Sequence, residues 1–291
     1  VSYFGLLNVN KPSGVTSRRV VDHVQRLVRP AKAGHAGTLD PLASGVLVVC
    51  AGPATRLIDY VQQATKRYTA TFLLGRESDT EDIEGAVRML ARPPVPPREQ
   101  LAAAAERLVG EIRQRPPAFS ALKVGGQRAY NLARAGKPVE LAARPVTVYG
   151  LEIVRYDYPE LTLDVRCGAG TYVRSLGRDL AESLGTAAIM SGLVRTEVGP
   201  FRVEEACRLE DIRRETLATL LLPARQAVAH LPGVTLNDQE IGRLTRGLPV
   251  RRDDAPTSGE LAGCDETGGL VAILVPRGGE LWPARNLRHE A

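Results

Sequence analysis

The chain has 291 residues, 44% of them hydrophobic and 24% charged, with a formal net charge of +5. That is enough chain for one large domain or a large and a small one, an ordinary composition for a soluble globular protein, and a charge suited to an anionic partner such as nucleic acid. No apolar run approaches the ~20 residues that span a bilayer, and no basic-then-apolar leader opens the chain, so a cytoplasmic protein is expected.

Residues 3–9 read as a short apolar strand, followed by turn residues in Asn10-Lys11-Pro12-Ser13-Gly14. Thr16 or Ser17 can cap a helix over about 18–29, whose Val20, Val21, Val24, Leu27 and Val28 share one face. Residues 32–45 form a loop rich in glycine, with Pro41 in it, before an apolar strand over 46–50. A second strand is expected over 68–74, helices over 98–109 and 127–135, and strands over 146–154 and 161–167 joined by a turn. Thr171 is expected to cap a helix that carries Val173, Leu176, Leu180 and Leu184 on one face. The texture changes after Pro232-Gly233, where a short helix (236–244) and short strands (261–264, 270–275) suggest a small β-rich terminal domain. Strands and helices do not alternate regularly, so the fold class is α+β with a mixed, mainly antiparallel sheet flanked by helices.

Several motifs fail. The acidic run Asp79-Thr80-Glu81-Asp82-Ile83-Glu84-Gly85 lacks the calcium ligands that a loop of that type needs where Ile83 and Leu90 stand. Ser44 lacks a hydrolase elbow, because Leu42 occupies its first glycine position. No glycine-rich phosphate loop or dinucleotide fingerprint is present. The four cysteines (Cys50, Cys167, Cys207, Cys264) form no C-x-x-C pair, and the four histidines (His23, His35, His230, His289) are equally scattered. Buried thiols are therefore expected rather than a zinc site or disulfide framework.

One carboxylate stands out. Asp40 lies in a tight Gly/Pro loop just before a buried strand, a setting that holds a nucleophile rigidly. Read without any relative, an Asp-Pro turn is the commoner explanation of the same residues.

The run Gly34-His35-Ala36-Gly37-Thr38-Leu39-Asp40-Pro41-Leu42-Ala43-Ser44-Gly45-Val46-Leu47 closely resembles the signature of the bacterial tRNA pseudouridine-55 synthases, the TruB family. The resemblance continues through Lys66-Arg67-Tyr68, the run from Gly75 to Gly85, Pro117 to Lys123, Arg144-Pro145-Val146 and Gly170 to Leu176. It covers Leu6 to Val198 in order.

The resemblance implies a pseudouridine synthase fold and a cofactor-free isomerisation of a uridine in the T loop of tRNA. Uracil is cut from C1′, turned and rejoined through C5. It makes Asp40 the essential carboxylate, Tyr68 the tyrosine against the target base, and Arg174 the arginine paired with that Asp. Arg174 also falls in the first turn of an expected helix, where the dipole disfavours a cation unless an anion is near. By the same resemblance Leu193 walls the pocket, while His35 contacts RNA beside a flipped-out nucleotide and Tyr172 belongs to the substrate-binding set. Arg56, Lys66 and Arg67 flank these segments as candidate phosphate contacts. Residues 1–232 are expected as the catalytic domain and 233–291 as a PUA-like RNA-binding domain, on the strength of Gly247-Leu248-Pro249-Val250. No cofactor or metal is expected, the partner is the tRNA T arm, and a monomer is the default. The alternative is a non-catalytic RNA-binding or tRNA-folding protein on the same fold, which would have no need of Asp40, Tyr68 and Arg174 together. A carboxylate hydrolase fits poorly, since no second acid is in evidence.

Overall fold

The computed structural model describes residues 3–120, 122–124, 126–135, 141–252 and 256–288. The chain forms two compact units. One is built from residues up to Pro41, Gly45–Gln63 and the chain from Pro200 onward; the other from Leu42–Ser44 and Ala64–Gly199.

In the first unit, β1 (Gly5–Lys11) is buried along nearly its whole length. It pairs antiparallel with β3 (Ser44–Ala51) from Gly5↔Ala51 to Lys11↔Gly45, and parallel with β14 (Cys207–Arg208) through Val9↔Cys207. Residues expected to be loop contain a short strand, β2 (Ala33–His35), which pairs with β3. Helix α1 (Ser17–Val28) starts where expected: the Thr16 side chain accepts from Arg19 N, and Val20, Val21, Val24 and Val28 are buried. Gln25 Nε2 donates to Ala31 O (2.7 Å) and Ala33 N donates to Gln25 Oε1 (2.8 Å), which ties the helix to β2. A 3-10 turn (Gly52–Leu57) and α2 (Ile58–Gln63) follow β3. The chain returns through β13 (Phe201–Arg202) and α6 (Leu217–Leu220).

Within this unit the last residues form a separate five-stranded sheet: β15 (Gly233–Thr235), β17 (Leu261–Cys264), β18 (Leu270–Arg277), β19 (Glu280–Asn286) and β16 (Val250–Arg251), in that spatial order. Leu236, Leu244, Val271, Leu274 and Leu281 make its apolar core. Its helix α7 (Asp238–Thr245) opens on a full capping box between Asn237 and Glu240. Side chains join this β-rich part to α2 and the turn before it: Tyr60 Oη donates to Glu260 Oε1 (2.9 Å), Arg285 Nη2 donates to Asp59 Oδ2 (3.2 Å), and Arg56 donates to Asn286 O.

The second unit is a fully antiparallel sheet in the order β12 (Ala188–Val198), β4 (Lys66–Leu74), β11 (Glu160–Cys167), β10 (Arg144–Asp157) and β7 (Gly110–Gln114). The parallel β1–β14 pair makes the architecture mixed and mainly antiparallel, as the sequence suggested. Along β4 burial alternates, so Lys66, Tyr68, Ala70, Phe72 and Leu74 face inward and Arg67 outward. Helix α5 (Val173–Glu182) lies against that inward face, with Val173, Leu176 and Leu180 buried and Gly177 directly over the Phe72 ring. Three expectations are corrected here. Thr171 does not cap α5: Tyr172 holds that position, and Thr171 Oγ1 bonds Gly168 O instead (3.2 Å). Leu184 lies past the end of α5. The second expected helix begins later, as α4 (Ala129–Arg134), because β8 (Lys123–Val124) and β9 (Gln127–Arg128) form a hairpin before it. Helix α3 (Arg98–Glu106) and the small hairpin β5 (Arg76–Glu77) with β6 (Arg88–Met89) complete the unit.

Candidate active site

The loop that carries Asp40 is held on both sides of that residue. Upstream, Ser17 Oγ donates to Leu39 O (3.0 Å) and Leu39 N donates to Ser17 Oγ (2.9 Å), a reciprocal pair in which Ser17 and Leu39 are both buried. Downstream, Pro41 O accepts from Gly14 N (2.8 Å) and from Lys11 Nζ (3.3 Å). Lys11 is wholly buried and also donates to Pro12 O (3.0 Å) and Val15 O (2.6 Å). An ammonium among carbonyl oxygens is a charge-assisted knot that fixes the turn Lys11–Val15 and the Asp40 loop together. Gly37 (φ 118°) and Gly45 (φ 99°) supply the left-handed turns that let the loop leave and rejoin the strands. Asp40 itself is half-buried between the two anchors. Sequence reasoning missed Lys11 and Ser17 as supports; the signal was a lysine closing an apolar strand before Pro12-Ser13-Gly14.

His35, also in the first unit, is half-buried at the end of β2, and the next amide, Ala36 N, donates to Val48 O (2.9 Å). Arg56 is exposed at the end of the 3-10 turn; its guanidinium donates to Asn286 O, and its own carbonyl accepts from Arg285.

The second unit gathers the remaining candidates on β4, β12 and α5. Tyr68 is buried on β4, opposite Val165 of β11 and Arg195 of β12. Leu193, two residues from Arg195, is buried opposite Ala70. Arg195 is itself among the most buried side chains, a cation beside Tyr68 that sequence reasoning overlooked. Lys66, expected as a phosphate contact, is a buried ammonium that donates to Ala64 O (2.6 Å). Burial, reinforced by the charge of Arg195, pulls it down to about 8 from the usual 10.5. The reason is parity: Lys66 stands two residues from Tyr68 and so shares its inward face. Arg67, on the outward face, is an exposed cation bonded through Nε to both oxygens of Asp164 (2.9 and 3.0 Å).

Tyr172 and Arg174 sit at the start of α5. The main chain of Tyr172 is bracketed by buried Gln114, which donates from Nε2 to its carbonyl (3.0 Å) and accepts its N–H at Oε1 (2.8 Å). The Arg144 guanidinium lies 5.3 Å from the centre of its ring. Arg174 is buried; Nη1 donates to Thr80 O (2.7 Å), Nη2 donates to Phe119 O (3.1 Å), and Asp82 Oδ2 lies 3.5 Å from Nη1. The acidic run that failed as a calcium loop therefore supplies an anion to a cation in the first turn of α5. Asp82 is held in turn by Thr80 Oγ1 (2.6 Å) and Glu84 N (3.0 Å). Glu81 reaches along the same helix to Ser175 and Arg178.

Burial disfavours the thiolate form of the cysteines. Burial pushes Cys50 up to about 12 and Cys167 up to about 11, so both stay neutral near pH 7. Among the described residues no three His, Cys, Asp or Glu side chains are grouped so as to hold a metal ion.

The chain superposes on a chain of a Cbf5–Nop10–Gar1 complex with a TM-score of 0.74 and 27% identity, covering 98% of this chain and 85% of that one. A chain of an H/ACA RNP bound to a substrate RNA containing 2′-deoxyuridine matches with the same TM-score at 26% identity, again over 98% and 85%. The family model for the N-terminal domain of TruB family pseudouridylate synthases matches residues 25–173, and that for the tRNA pseudouridylate synthase B C-terminal domain matches 174–229. Proteins called tRNA pseudouridine synthase B are similar over nearly the full length. That of Dehalococcoides mccartyi is 40% identical over 97% of this chain and 95% of its own. That of Moorella thermoacetica is 42% identical, over 86% and 84%. That of Neisseria meningitidis is 40% identical, over 92% and 89%. This chain belongs to the TruB family of pseudouridylate synthases.

Proposed function

We propose that this protein isomerises uridine-55 in the T loop of tRNA to pseudouridine, with Asp40 as the reacting carboxylate. The observation that carries the reading is the placement of Asp40: a half-buried carboxylate between two anchored residues, inside the region that matches the family model. A carboxylate fixed in this way can attack C1′ of the ribose, stabilise its cationic character, or remove a sugar proton. The C1′–N1 bond breaks, the uracil turns, a C1′–C5 bond forms, the hydrogen on C5 leaves as a proton, and N1, freed from the sugar, takes one up. No atom is gained or lost overall, so the reaction needs no oxidant or co-reactant.

The other residues take roles around that step. Tyr68 packs against the base and accepts the late proton. Arg174 serves the Asp40 carboxylate, Leu193 walls the pocket, and His35 and Tyr172 receive the extruded nucleotide and its neighbour. Flipping the base costs a few kcal/mol of lost stacking, which flat side chains partly replace. Arg56 and Arg67 face solvent and suit phosphate contact; Lys66 instead supports the inner face beside Tyr68. Residues 1–232 serve as the catalytic domain and 233–291 as a PUA-like RNA-binding domain. The protein acts as a monomer in the cytoplasm, where its tRNA substrate is found.

Carbodiimide treatment of a tRNA transcript followed by primer extension tests this directly. A stop one base before position 55 after incubation with the protein is expected. A stop at another uridine overturns the assigned target, and unmodified RNA from a folded, RNA-binding protein overturns the enzymatic reading.

A further inference from the structure

Arg174 does not stand alone on α5. Arg178 lies one turn further along the same face, and two successive loop residues answer the two arginines: Asp82 faces Arg174 and Glu81 faces Arg178. Glu81 accepts from Ser175 Oγ at Oε2 (2.8 Å) and from Arg178 Nη1 at Oε1. Arg178 completes its set with Asp179 Oδ1 (2.9 Å from Nε, 2.7 Å from Nη2) and Arg115 O (2.9 Å). The side chains of Glu81 and Arg178 are both largely buried, at 14% and 11% exposure.

The main chain at Glu81 is also unusual. Its φ is 62°, a left-handed conformation that residues with a Cβ avoid. The strand β12 holds it there: Met190 N donates to Glu81 O (2.9 Å) and Ile83 N donates to Met190 O (3.1 Å). Such a conformation persists only where the surroundings over-determine it. Here both ends of Glu81 are tied, main chain to β12 and side chain to α5. The turn this creates sends Asp82 and the carbonyl of Thr80 back towards Arg174.

We propose that Glu81 is a positioning residue for Arg174, acting through Arg178 and Ser175: it pins the loop of residues 78–85 onto α5 so that Asp82 and Thr80 O grip the Arg174 guanidinium. This rests on the reading of Arg174 as an arginine of the active site. Burial outweighs its cationic partner and pushes the Glu81 carboxyl up, yet the pair still forms, and breaking it from one side strands the other charge in a largely buried place.

The test compares single-turnover rates, RNA affinity and melting temperature for Glu81→Gln, Arg178→Met, the double variant and Arg174→Lys, using a T-arm RNA hairpin with the full-length protein. Each single variant of the pair is expected to lose at least tenfold in the rate of the chemical step, with RNA affinity within twofold of wild type. The double variant is expected to be no slower than the worse single, because both remove one device. Ser175→Ala, a milder change that leaves the ion pair in place, is expected to lose about threefold and keeps the inference testable if Glu81→Gln unfolds. Loss of affinity and melting temperature in proportion to rate would mean a merely structural role and would overturn the proposal. A wild-type rate for Glu81→Gln together with a crippled Arg174→Lys would sink the positioning role alone. An active Arg174→Lys would sink the reading on which it rests.

Discussion

Replacing Gly177 by alanine puts the packing that places Arg174 to a quantitative test. A Cβ built at Gly177 would lie 2.0, 2.3 and 2.5 Å from Cε1, Cδ1 and Cζ of Phe72. Ordinary contact begins near 3.4 Å, so the helix and the ring must part by about 1.4 Å (3.4 − 2.0). Phe72 is fully buried on β4, between β11 and β12, and cannot swing into solvent. Helix propensity alone favours the alanine by ~1 kcal/mol. Overpacking opposes it by about 1–3 kcal/mol, and a displacement of this size belongs at the upper end, leaving a net loss of ~2 kcal/mol. The same shift carries Arg174, one turn earlier on α5, and a misplacement of ~1 Å can cost ~100-fold in rate. Urea unfolding and single-turnover isomerisation of a T-arm hairpin read the two effects. Phe72→Leu, which trims the obstructing ring, is expected to restore part of both in the double variant. A Gly177→Ala protein as stable as wild type, or more so, would mean that helix propensity outweighs the contact with Phe72.

Lys11→Met removes an ammonium bonded to three carbonyls, and each charge-assisted bond is worth about 1.5–3 kcal/mol net. With partial relaxation a loss of about 3–4 kcal/mol in unfolding free energy is expected, and less than ~1 kcal/mol would show that the knot contributes little. Lys66 gives a pH signature. Between about 8 and 10.5 the unfolded chain keeps the Lys66 proton and the folded chain has shed it, so stability rises with pH across that window. The difference between wild type and Lys66→Met should climb over the same range, and a flat difference would contradict a buried ammonium. Asn237→Ala breaks the capping box of α7, bonded at 3.0 Å to Glu240 N, and should cost ~1 kcal/mol while hydrogen exchange quickens in α7. Unchanged protection there would mean that tertiary packing, not the cap, sets that helix start.

What the sequence made legible was local. The valines of α1 recur at helical spacing and are buried as that spacing implies. The strand at Tyr68 alternates cleanly. The same parity also placed Lys66 beside Tyr68, but its charge invited a surface reading, and charge proved the weaker guide. Strand β12 escaped notice because Ser191-Gly192 breaks its apolar pattern and two register shifts, near Met190 and Arg195, spoil the alternation. The role of the acidic run was invisible for a different reason. Its partners Arg174 and Arg178 lie more than 90 residues away in sequence, and no local periodicity reports such a contact. Asp40 was legible as a carboxylate in a stiff loop, whereas the anchors that stiffen it, Lys11 and Ser17, come from the preceding strand and helix and emerge only in three dimensions.

Asp40 is proposed to drive isomerisation at C5 of a uridine. Tritium release from a T-arm RNA labelled at C5 tests it most directly, because joining C5 to C1′ must expel that hydrogen. Stoichiometric release by wild type and none by Asp40→Asn at equal RNA affinity is expected. Release by Asp40→Asn at the wild-type rate would contradict it.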